Sequence, residues 1–163
     1  GLIPAMLTGD AAGSANAVAR TVGIAEANVH AQLLPEDKLN ALKEIRKQNG
    51  AVMFVGDGIN DAPVLAGADV GAAMGSGADA AIEAADVVFM NSSVSAIPQA
   101  IKIARATGRI SMQNVIFALA VKLLVLVLGF VGFANIWAAV FADTGVAMLC
   151  ILNSMRILLK KFK

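Results

Sequence analysis

The sequence predicts an α/β unit built on a parallel sheet, followed by a pair of membrane-spanning helices. In residues 1–114, short apolar runs alternate with helical patterns, and eight Lys/Arg and eleven Asp/Glu are spread among them. Between Val115 and Met155 only Lys122 and Asp143 are charged. The whole chain is 58% hydrophobic and 15% charged, against about 45–50% and 25% for soluble domains. We therefore expect a soluble front and a membrane-embedded back.

The front part alternates predicted strands with predicted helices. Apolar runs of strand length lie at residues 3–7, 28–33, 51–55, 69–74 and 86–90. Helical patterns lie between them, at residues 12–22, from Pro35 to Gly50, and at residues 60–68 and 78–84. Strands that alternate with helices in this way indicate a parallel sheet covered on both faces.

The back part predicts a linker helix and a two-helix transmembrane hairpin. Residues 95–114 form the linker helix, and residues 115–133 are then long enough to cross about 28 Å of hydrocarbon. Residues 136–158 form the second span, and residues 159–163 a basic tail. Lys/Arg lie before the first span and after the second, so the front domain and the C-terminus are expected to be cytoplasmic in a multi-pass protein of the cell membrane.

Composition also excludes several classes of protein. A single Cys cannot form an internal disulfide, so a disulfide-stapled secreted domain is excluded. The net charge of +1 gives no reason to expect a nucleic-acid partner. The chain begins at Gly1 without the pattern of a signal peptide, and we expect an earlier part of the protein to be missing.

The most specific motif is the nine-residue string at residues 55–63, directly after a predicted strand. Asp57 and Asp61 supply two carboxylates there and Asn60 supplies an amide. Ligand sites on parallel sheets lie at the carboxyl ends of the strands, and carboxylate oxygens suit Mg²⁺. An Asp-Gly pair alone also marks ordinary turns, but the whole string is far more specific.

Two further segments suit a phosphoryl group. Thr8-Gly9-Asp10 follows the first predicted strand, and a hydroxyl with loop amides can hold a phosphoryl oxygen. Lys38 can supply a point positive charge. Taken alone, the first segment is more often a turn with a helix cap, and Lys38 is more often a solvated helix residue.

Together these segments resemble the phosphorylation domain of P-type ATPases, which has a haloacid-dehalogenase-like fold. The segments that carry the resemblance are residues 6–10, 34–38, 55–63 and 73–77, in that order. The resemblance implies that Thr8 and Gly9 contact the transferred phosphoryl group, with Asp10 beside them, and that Lys38 neutralises its charge. It implies Mg²⁺ at Asp57 and Asp61, with Asn60 completing the network.

The resemblance also implies parts that these residues do not contain. The nucleophile of that family is the Asp of an Asp-Lys-Thr-Gly motif, which the 163 residues lack. It is expected upstream, before the domain that binds most of the ATP. We therefore expect the chain alone to be inactive as an ATPase and to need the N-terminal part of the same protein.

Lys122 and Asp143 are the informative residues of the predicted hairpin. Counted from the turn between the spans, they lie at depths of ~16 Å and ~10 Å, an offset that a Lys side chain can bridge. The sequence therefore predicts an ion pair across the hairpin. Such a pair either locks two helices together or takes part in function, which is the usual reading of a charge inside a span.

The Lys in the first span and the Ala-Asp-Thr-Gly at residues 142–145 resemble the zinc/cadmium/lead class of heavy-metal P-type ATPases. The resemblance implies Asp143 as a ligand of transported Zn²⁺, Cd²⁺ or Pb²⁺ and Lys122 as an internal counter-ion. Cys150 lies two turns beyond Asp143, roughly on the same face. It is either a soft auxiliary ligand or, more commonly for a Cys in a packed helix, a small hydrophobe.

The sequence leaves three possible functions for the chain. The first is the C-terminal part of an ATP-driven heavy-metal exporter that works through an aspartyl-phosphate. The second is a catalytically inactive module, anchored in membrane lipid, that binds Mg²⁺ or phosphate or only stabilises a partner. The third, a soluble phosphatase of the same fold, fits poorly because it needs its own nucleophile and no hairpin.

Overall fold

The computed structural model describes residues 2–133 and 135–160 of the chain. It divides into two compact units, Gly1–Ser93 and Val94–Lys163. Most of the predicted basic tail, residues 161–163, lies outside the described residues, as does Ala134 of the predicted turn between the spans.

The first unit alternates strands and helices along the chain. Its elements are β1 (Met6–Leu7), α1 (Ala12–Val22), β2 (Val29–His30), α2 (Pro35–Asn49), β3 (Met53–Gly56), α3 (Ala62–Gly67), β4 (Val70–Met74), α4 (Asp79–Ala84) and β5 (Val87–Phe89). Short 3₁₀ turns at Glu26–Asn28 and Ile59–Asp61 precede β2 and α3. Each predicted strand and helix of the front part is present, and several are shorter than predicted.

The strands pair in parallel, as predicted, but they form two sheets. In the first, Met6 of β1 lies opposite Val29 of β2. In the second, β4 lies between β3 and β5. The predicted parallel fold class is confirmed, and the described strands form two sheets rather than the single sheet expected. The apolar runs identify strands, but β1 and β2 pair over only two residues each, and nothing in the pattern of a run specifies its neighbour.

Helix α2 is defined at both ends by its sequence. Pro35 occupies its first position, where the missing N–H needs no partner. The Asp37 carboxylate accepts a hydrogen bond from the Leu34 N–H at 3.2 Å, as in a capping box. Gly50 ends the helix with a φ of 88°. These signals fix where α2 starts, and so they fix Lys38 in its first turns.

The core of the first unit lies between α3, α4 and the three-stranded sheet. Leu65, Ala73 and Ala81 are at most 1% exposed and form one apolar cluster. Leu42 of α2 and Val64 of α3 are buried to the same degree. A Cβ on Gly71 of β4 would lie 2.5 Å from the Leu65 carbonyl oxygen, so this glycine lets α3 pack closely against the sheet.

The second unit is a pair of long helices. Helix α5 runs without a break over Ala96–Phe130, so the predicted linker helix and first span are one helix. The second consists of α6 (Ile136–Val140), a π-helical turn (Phe141–Gly145) and α7 (Val146–Met155). By length and composition, Ala96–Phe130 and Ile136–Met155 are each able to cross a membrane.

The second helix differs from the prediction in two respects. It ends at Met155 rather than at residue 158, and the π-turn interrupts it. Ala138, Ala142, Val146 and Cys150, which follow one another in steps of four residues, are each buried or half-buried. In an α-helix of 3.6 residues per turn, residues four apart do not lie directly above one another, and the angular offset grows with each step. The π-turn has more residues per turn, so it compensates for this offset and keeps the four positions on one side of the helix.

Candidate functional site

The first candidate site lies at the carboxyl ends of the strands of the first unit. Thr8-Gly9-Asp10 directly follows β1 and forms a closed turn. The Thr8 hydroxyl donates to Asp10 Oδ2 at 2.9 Å, and the Asp10 N–H donates back to Thr8 Oγ1 at 3.2 Å. The hydroxyl is thereby oriented by its neighbour before any ligand binds.

Backbone hydrogen bonds fix this turn beside the segment that leads into α2. The Thr8 N–H donates to the His30 carbonyl at 2.9 Å, and the Leu33 N–H donates to the Thr8 carbonyl at 3.0 Å. The Gln32 N–H donates to the Asp10 carbonyl at 2.9 Å. Backbone hydrogen bonds therefore hold the end of β1 beside the segment that leads into the helix carrying Lys38. These bonds do not depend on side-chain conformation.

Lys38 and Asp61 form the best-buried ion pair of the described residues. Lys38 Nζ lies 2.7 Å from Asp61 Oδ1, and the two side chains are 16% and 13% exposed. Asp61 Oδ2 accepts a hydrogen bond from the Gly58 N–H at 3.3 Å. A Cβ on Gly56 would lie 2.9 Å from Asp61 Cβ, so only glycine lets the carboxylate fold back over the end of β3.

Asp57 and Asn60 are exposed on the same loop. Within the described part of the chain the Asp57 carboxylate makes no hydrogen bond, whereas its main-chain carbonyl accepts from the Ala78 N–H at 2.8 Å. The backbone of Asp57 is thus anchored and its carboxylate is available. A hard cation such as Mg²⁺ takes one or two carboxylates and fills its remaining positions with water and phosphate oxygens, so the donor set fits it.

The structure therefore groups the predicted residues of the first unit in pairs. It joins Thr8 to Asp10 and Lys38 to Asp61, and it leaves Asp57 and Asn60 open to a ligand. Among the described residues, no hydrogen bond joins the Thr8 turn to residues 57–61. Chemically, the loops present a hydroxyl, an ammonium group and free carboxylate oxygens, which is a set suited to a phosphoryl group with its metal ion.

The second candidate site is the ion pair of the second unit. Lys122 Nζ lies 3.1 Å from Asp143 Oδ1, so the pair predicted from the depths of the two residues is formed. Asp143 is the central residue of the π-turn, an irregularity often found at functional positions of helices. A Cβ on Gly145 would lie 2.5 Å from the Phe141 ring, so that ring packs where a side chain would be.

The Asp143 carboxylate has few companions that could complete a metal site. No group of three or more His, Cys, Asp or Glu side chains comes together within residues 2–133 and 135–160. Cys150 does not join the Lys122–Asp143 pair; its Sγ lies 3.8 Å from the Asn114 carbonyl oxygen. Further ligands for a metal ion at Asp143 would have to come from elsewhere.

Sequence reasoning missed Asn114. Its side chain bonds to Cys150, Asn153 and Ser154 of the second helix. A search for carboxylates, cysteines and charges passes over an amide. Its position in the sequence could have identified it, because Asn114 immediately precedes the apolar run that begins at Val115.

Comparisons with known proteins agree with this organisation. Residues 1–69 match the family model of haloacid dehalogenase-like hydrolases. The chain is 49% identical over 163 residues to a cadmium, zinc and cobalt-transporting ATPase of Bacillus subtilis, covering 98% of this chain and 23% of that protein. It is 52% identical over 155 residues to a zinc-transporting ATPase of Synechocystis, covering 93% and 21%.

A solved structure resembles the chain as well. The crystal structure of a zinc-transporting PIB-type ATPase in the E2.Pi state superposes with a TM-score of 0.88 at 41% identity. The match covers 94% of this chain and 25% of that one. The chain thus spans about a fifth to a quarter of the length of the relatives that it matches.

The matched stretches cover 98% and 93% of this chain, so they extend through both units. The fold agrees, since parallel sheets with flanking helices are followed by two long apolar helices. Over nearly its whole length the chain is therefore a homologue of part of the heavy-metal-transporting P-type ATPases.

Proposed function

We propose that the chain is the C-terminal part of an ATP-driven exporter of divalent heavy-metal cations, with Zn²⁺ and Cd²⁺ as the first candidates. The observation that carries the proposal is the Lys122–Asp143 pair, at 3.1 Å. It lies between two helices that each contain an apolar stretch long enough to cross a membrane. A charged side chain inside a membrane span is energetically costly, and such residues usually mark a functional site.

The pair suits the passage of a cation. Asp143 supplies a carboxylate that binds a divalent metal, and Zn²⁺ accepts oxygen ligands. Lys122 is close enough to take the place of the departing ion beside that carboxylate. An ammonium group there favours release and opposes return of the ion. The remaining ligands come from other membrane helices of the longer protein.

The loops of the first unit suit phosphoryl transfer. Lys38, held at 2.7 Å from Asp61, directs its ammonium group to the transferred phosphoryl oxygens. The Thr8 hydroxyl and the Gly9 backbone hold the same group, and Asn60 lies at its edge. Asp57 is the first candidate ligand for Mg²⁺, with Asp61 behind it. Bound Mg²⁺ neutralises charge on the phosphate oxygens.

The acceptor of the phosphoryl group lies outside the 163 residues. The chain lacks an Asp-Lys-Thr-Gly motif, and none of its own carboxylates is proposed as the nucleophile. In the proposed cycle an upstream aspartate takes the γ-phosphoryl group of ATP, and hydrolysis of this aspartyl-phosphate drives release of the metal ion. Both steps rely on positioning and charge stabilisation by the residues above.

The orientation in the membrane follows from charge. Lys102, Arg105 and Arg109 precede the first apolar run, and Arg156 and Lys160 follow the second. Basic residues at both outer ends of a hairpin favour a cytoplasmic location of those ends. The phosphate-site loops would then share the compartment that holds ATP.

The test is ATP hydrolysis by the full-length protein in detergent with Zn²⁺, Cd²⁺, Pb²⁺ or Cu⁺. Stimulation by the divalent ions, lost in Asp143→Ala, is expected. Thr144→Ala is the matched control, because it truncates the neighbouring exposed side chain and leaves the carboxylate. Stimulation by Cu⁺ alone, or an Asp143→Ala variant as active as the control, contradicts the proposal.

A further inference from the structure

A second polar link joins the two helices of the second unit, at Asn114 of α5. Asn114 Nδ2 donates to the Cys150 carbonyl oxygen at 3.1 Å and to Ser154 Oγ at 2.9 Å. Asn114 Oδ1 accepts a hydrogen bond from Asn153 Nδ2 at 2.8 Å. One short side chain thus bonds to three residues of the facing helix.

The partners of Asn114 are themselves held in place. Asn153 Oδ1 accepts from the Arg156 guanidinium at 2.9 Å, which orients the amide that donates to Asn114. The Ser154 hydroxyl also donates to the Cys150 carbonyl at 2.9 Å. The orientation of every amide and hydroxyl group in this cluster is therefore set by more than one bond.

The cluster and the Lys122–Asp143 pair are two separate attachment points between the same helices. Asn114 and Lys122 are eight residues apart on α5, or about 12 Å along its axis. On the antiparallel partner, Cys150 and Ser154 lie seven and eleven residues beyond Asp143, or about 10 and 16 Å. The two spacings match, so both links form in the same register.

The two links differ in how firmly they fix that register. The side chains of Lys122 and Asp143 are 55% and 77% exposed, and a Lys side chain tolerates displacement of its partner because it is long and flexible. The amide of Asn114 is short and makes its bonds over 2.8–3.1 Å. Apolar helices in lipid gain nothing from hydrophobicity at their contact, so polar bonds and close packing determine their register.

We propose that Asn114 is a positioning residue, which sets the axial register of the second helix so that Asp143 lies opposite Lys122. This inference rests on the proposed transport function. The helix register affects transport because it places the Asp143 carboxylate beside its counter-ion, Lys122. It does not assign Asn114 or Cys150 as ligands of the metal ion.

The test compares Asn114→Leu with Gln113→Leu in the full-length protein in lipid. Both changes replace an amide by a leucine, but Gln113 is exposed and adjacent. Spin labels at the exposed positions Leu123 and Trp137 report the register by pulsed electron paramagnetic resonance. We expect Asn114→Leu to broaden or displace the distance distribution by up to one helical turn, about 5.4 Å, and Gln113→Leu to leave it unchanged.

The second readout is the Zn²⁺ dependence of ATP hydrolysis. In Asn114→Leu the KM for Zn²⁺ is expected to rise about threefold to tenfold, which corresponds to the strength of a hydrogen bond between membrane helices. The kcat at saturating Zn²⁺ changes less, because the phosphate-site residues are untouched. Ser154→Ala removes one partner only and is expected to act in the same direction with a smaller effect, so it serves if Asn114→Leu does not fold.

The two proposals fail in different ways. A wild-type protein that no divalent ion stimulates contradicts the transport function, while the spin-label distances still report the register. If the wild type is stimulated and Asn114→Leu keeps both the distance and the KM of Gln113→Leu, the positioning role of Asn114 is overturned. A change in one readout without the other overturns it as well.

Discussion

Replacing Lys38 by methionine removes the ammonium group from a largely buried ion pair and keeps most of the side-chain volume. Asp61 Oδ1 loses its partner at 2.7 Å, and the Gly58 N–H remains as the bond to Oδ2. Removing one partner of a buried pair costs about 3–5 kcal/mol because the other charge is left uncompensated. The pair keeps some access to water, with side chains 16% and 13% exposed, so we expect about 3 kcal/mol.

The chain offers a matched control on the same helix. Lys47 pairs with Glu44 at 2.6 Å, but these side chains are 71% and 60% exposed. Exposed pairs of this kind contribute at most about 0.5 kcal/mol. Lys47→Met therefore makes the same chemical change at a similar N···O distance, but in an exposed pair within one helix rather than in a largely buried pair between two segments.

Hydrogen exchange of the full-length protein, measured by mass spectrometry on peptides from residues 35–49, compares the two variants. Lys38→Met is expected to lower protection of these amides about 100-fold and Lys47→Met about twofold, since 1.4 kcal/mol is a factor of ten. Adding Asp61→Leu to Lys38→Met should recover much of the loss, because no charge is then left unpaired. Equal losses of protection in the two single variants would show that the Lys38–Asp61 pair stabilises the fold no more than an exposed pair does.

Three further predictions follow from single contacts. Leu42 is 1% exposed, so Leu42→Ala should destabilise the first unit by about 2–5 kcal/mol and speed hydrogen exchange throughout it. An unchanged exchange rate would show that Leu42 does not belong to the hydrophobic core. Gly145→Ala should lower metal-stimulated ATP hydrolysis, because its Cβ meets the Phe141 ring at 2.5 Å, and Phe141→Ala should restore it; a fully active Gly145→Ala would contradict this. Asp57→Asn should raise the Mg²⁺ concentration for half-maximal ATP hydrolysis at least about tenfold, whereas Asp79→Asn, an exposed acid at the start of α4, should not.

The strands and the loops that follow them could be predicted because their signals are local. An apolar run that ends in Gly-Asp-Gly at residues 56–58 specifies a buried strand and a turn without any tertiary information. The start of α2 was predictable in the same way, from Pro35 at the first helical position. The Lys122–Asp143 pair was predictable for another reason, namely that a membrane leaves a charge few alternatives to pairing.

Other features depend on contacts that no local pattern encodes. Lys38 and Asp61 were assigned to different ligands, and their ion pair arises only because α2 and the loop after β3 meet in the fold. The division of the strands into two sheets is likewise a matter of which strands are neighbours. The π-turn at Phe141–Gly145 depends on the packing of one helix against another, and the apolar sequence around it reads as a continuous α-helix.

The proposed function depends above all on Asp143 binding the ion that the intact protein exports. The most direct measurement is ATP-dependent uptake of Zn²⁺ into inside-out vesicles that contain the full-length protein, with Asp143→Ala and Thr144→Ala prepared alongside. We expect uptake by the wild type and by Thr144→Ala, and none by Asp143→Ala. Uptake by Asp143→Ala equal to that of the wild type would contradict this expectation and leave the Lys122–Asp143 pair as a structural link between two helices.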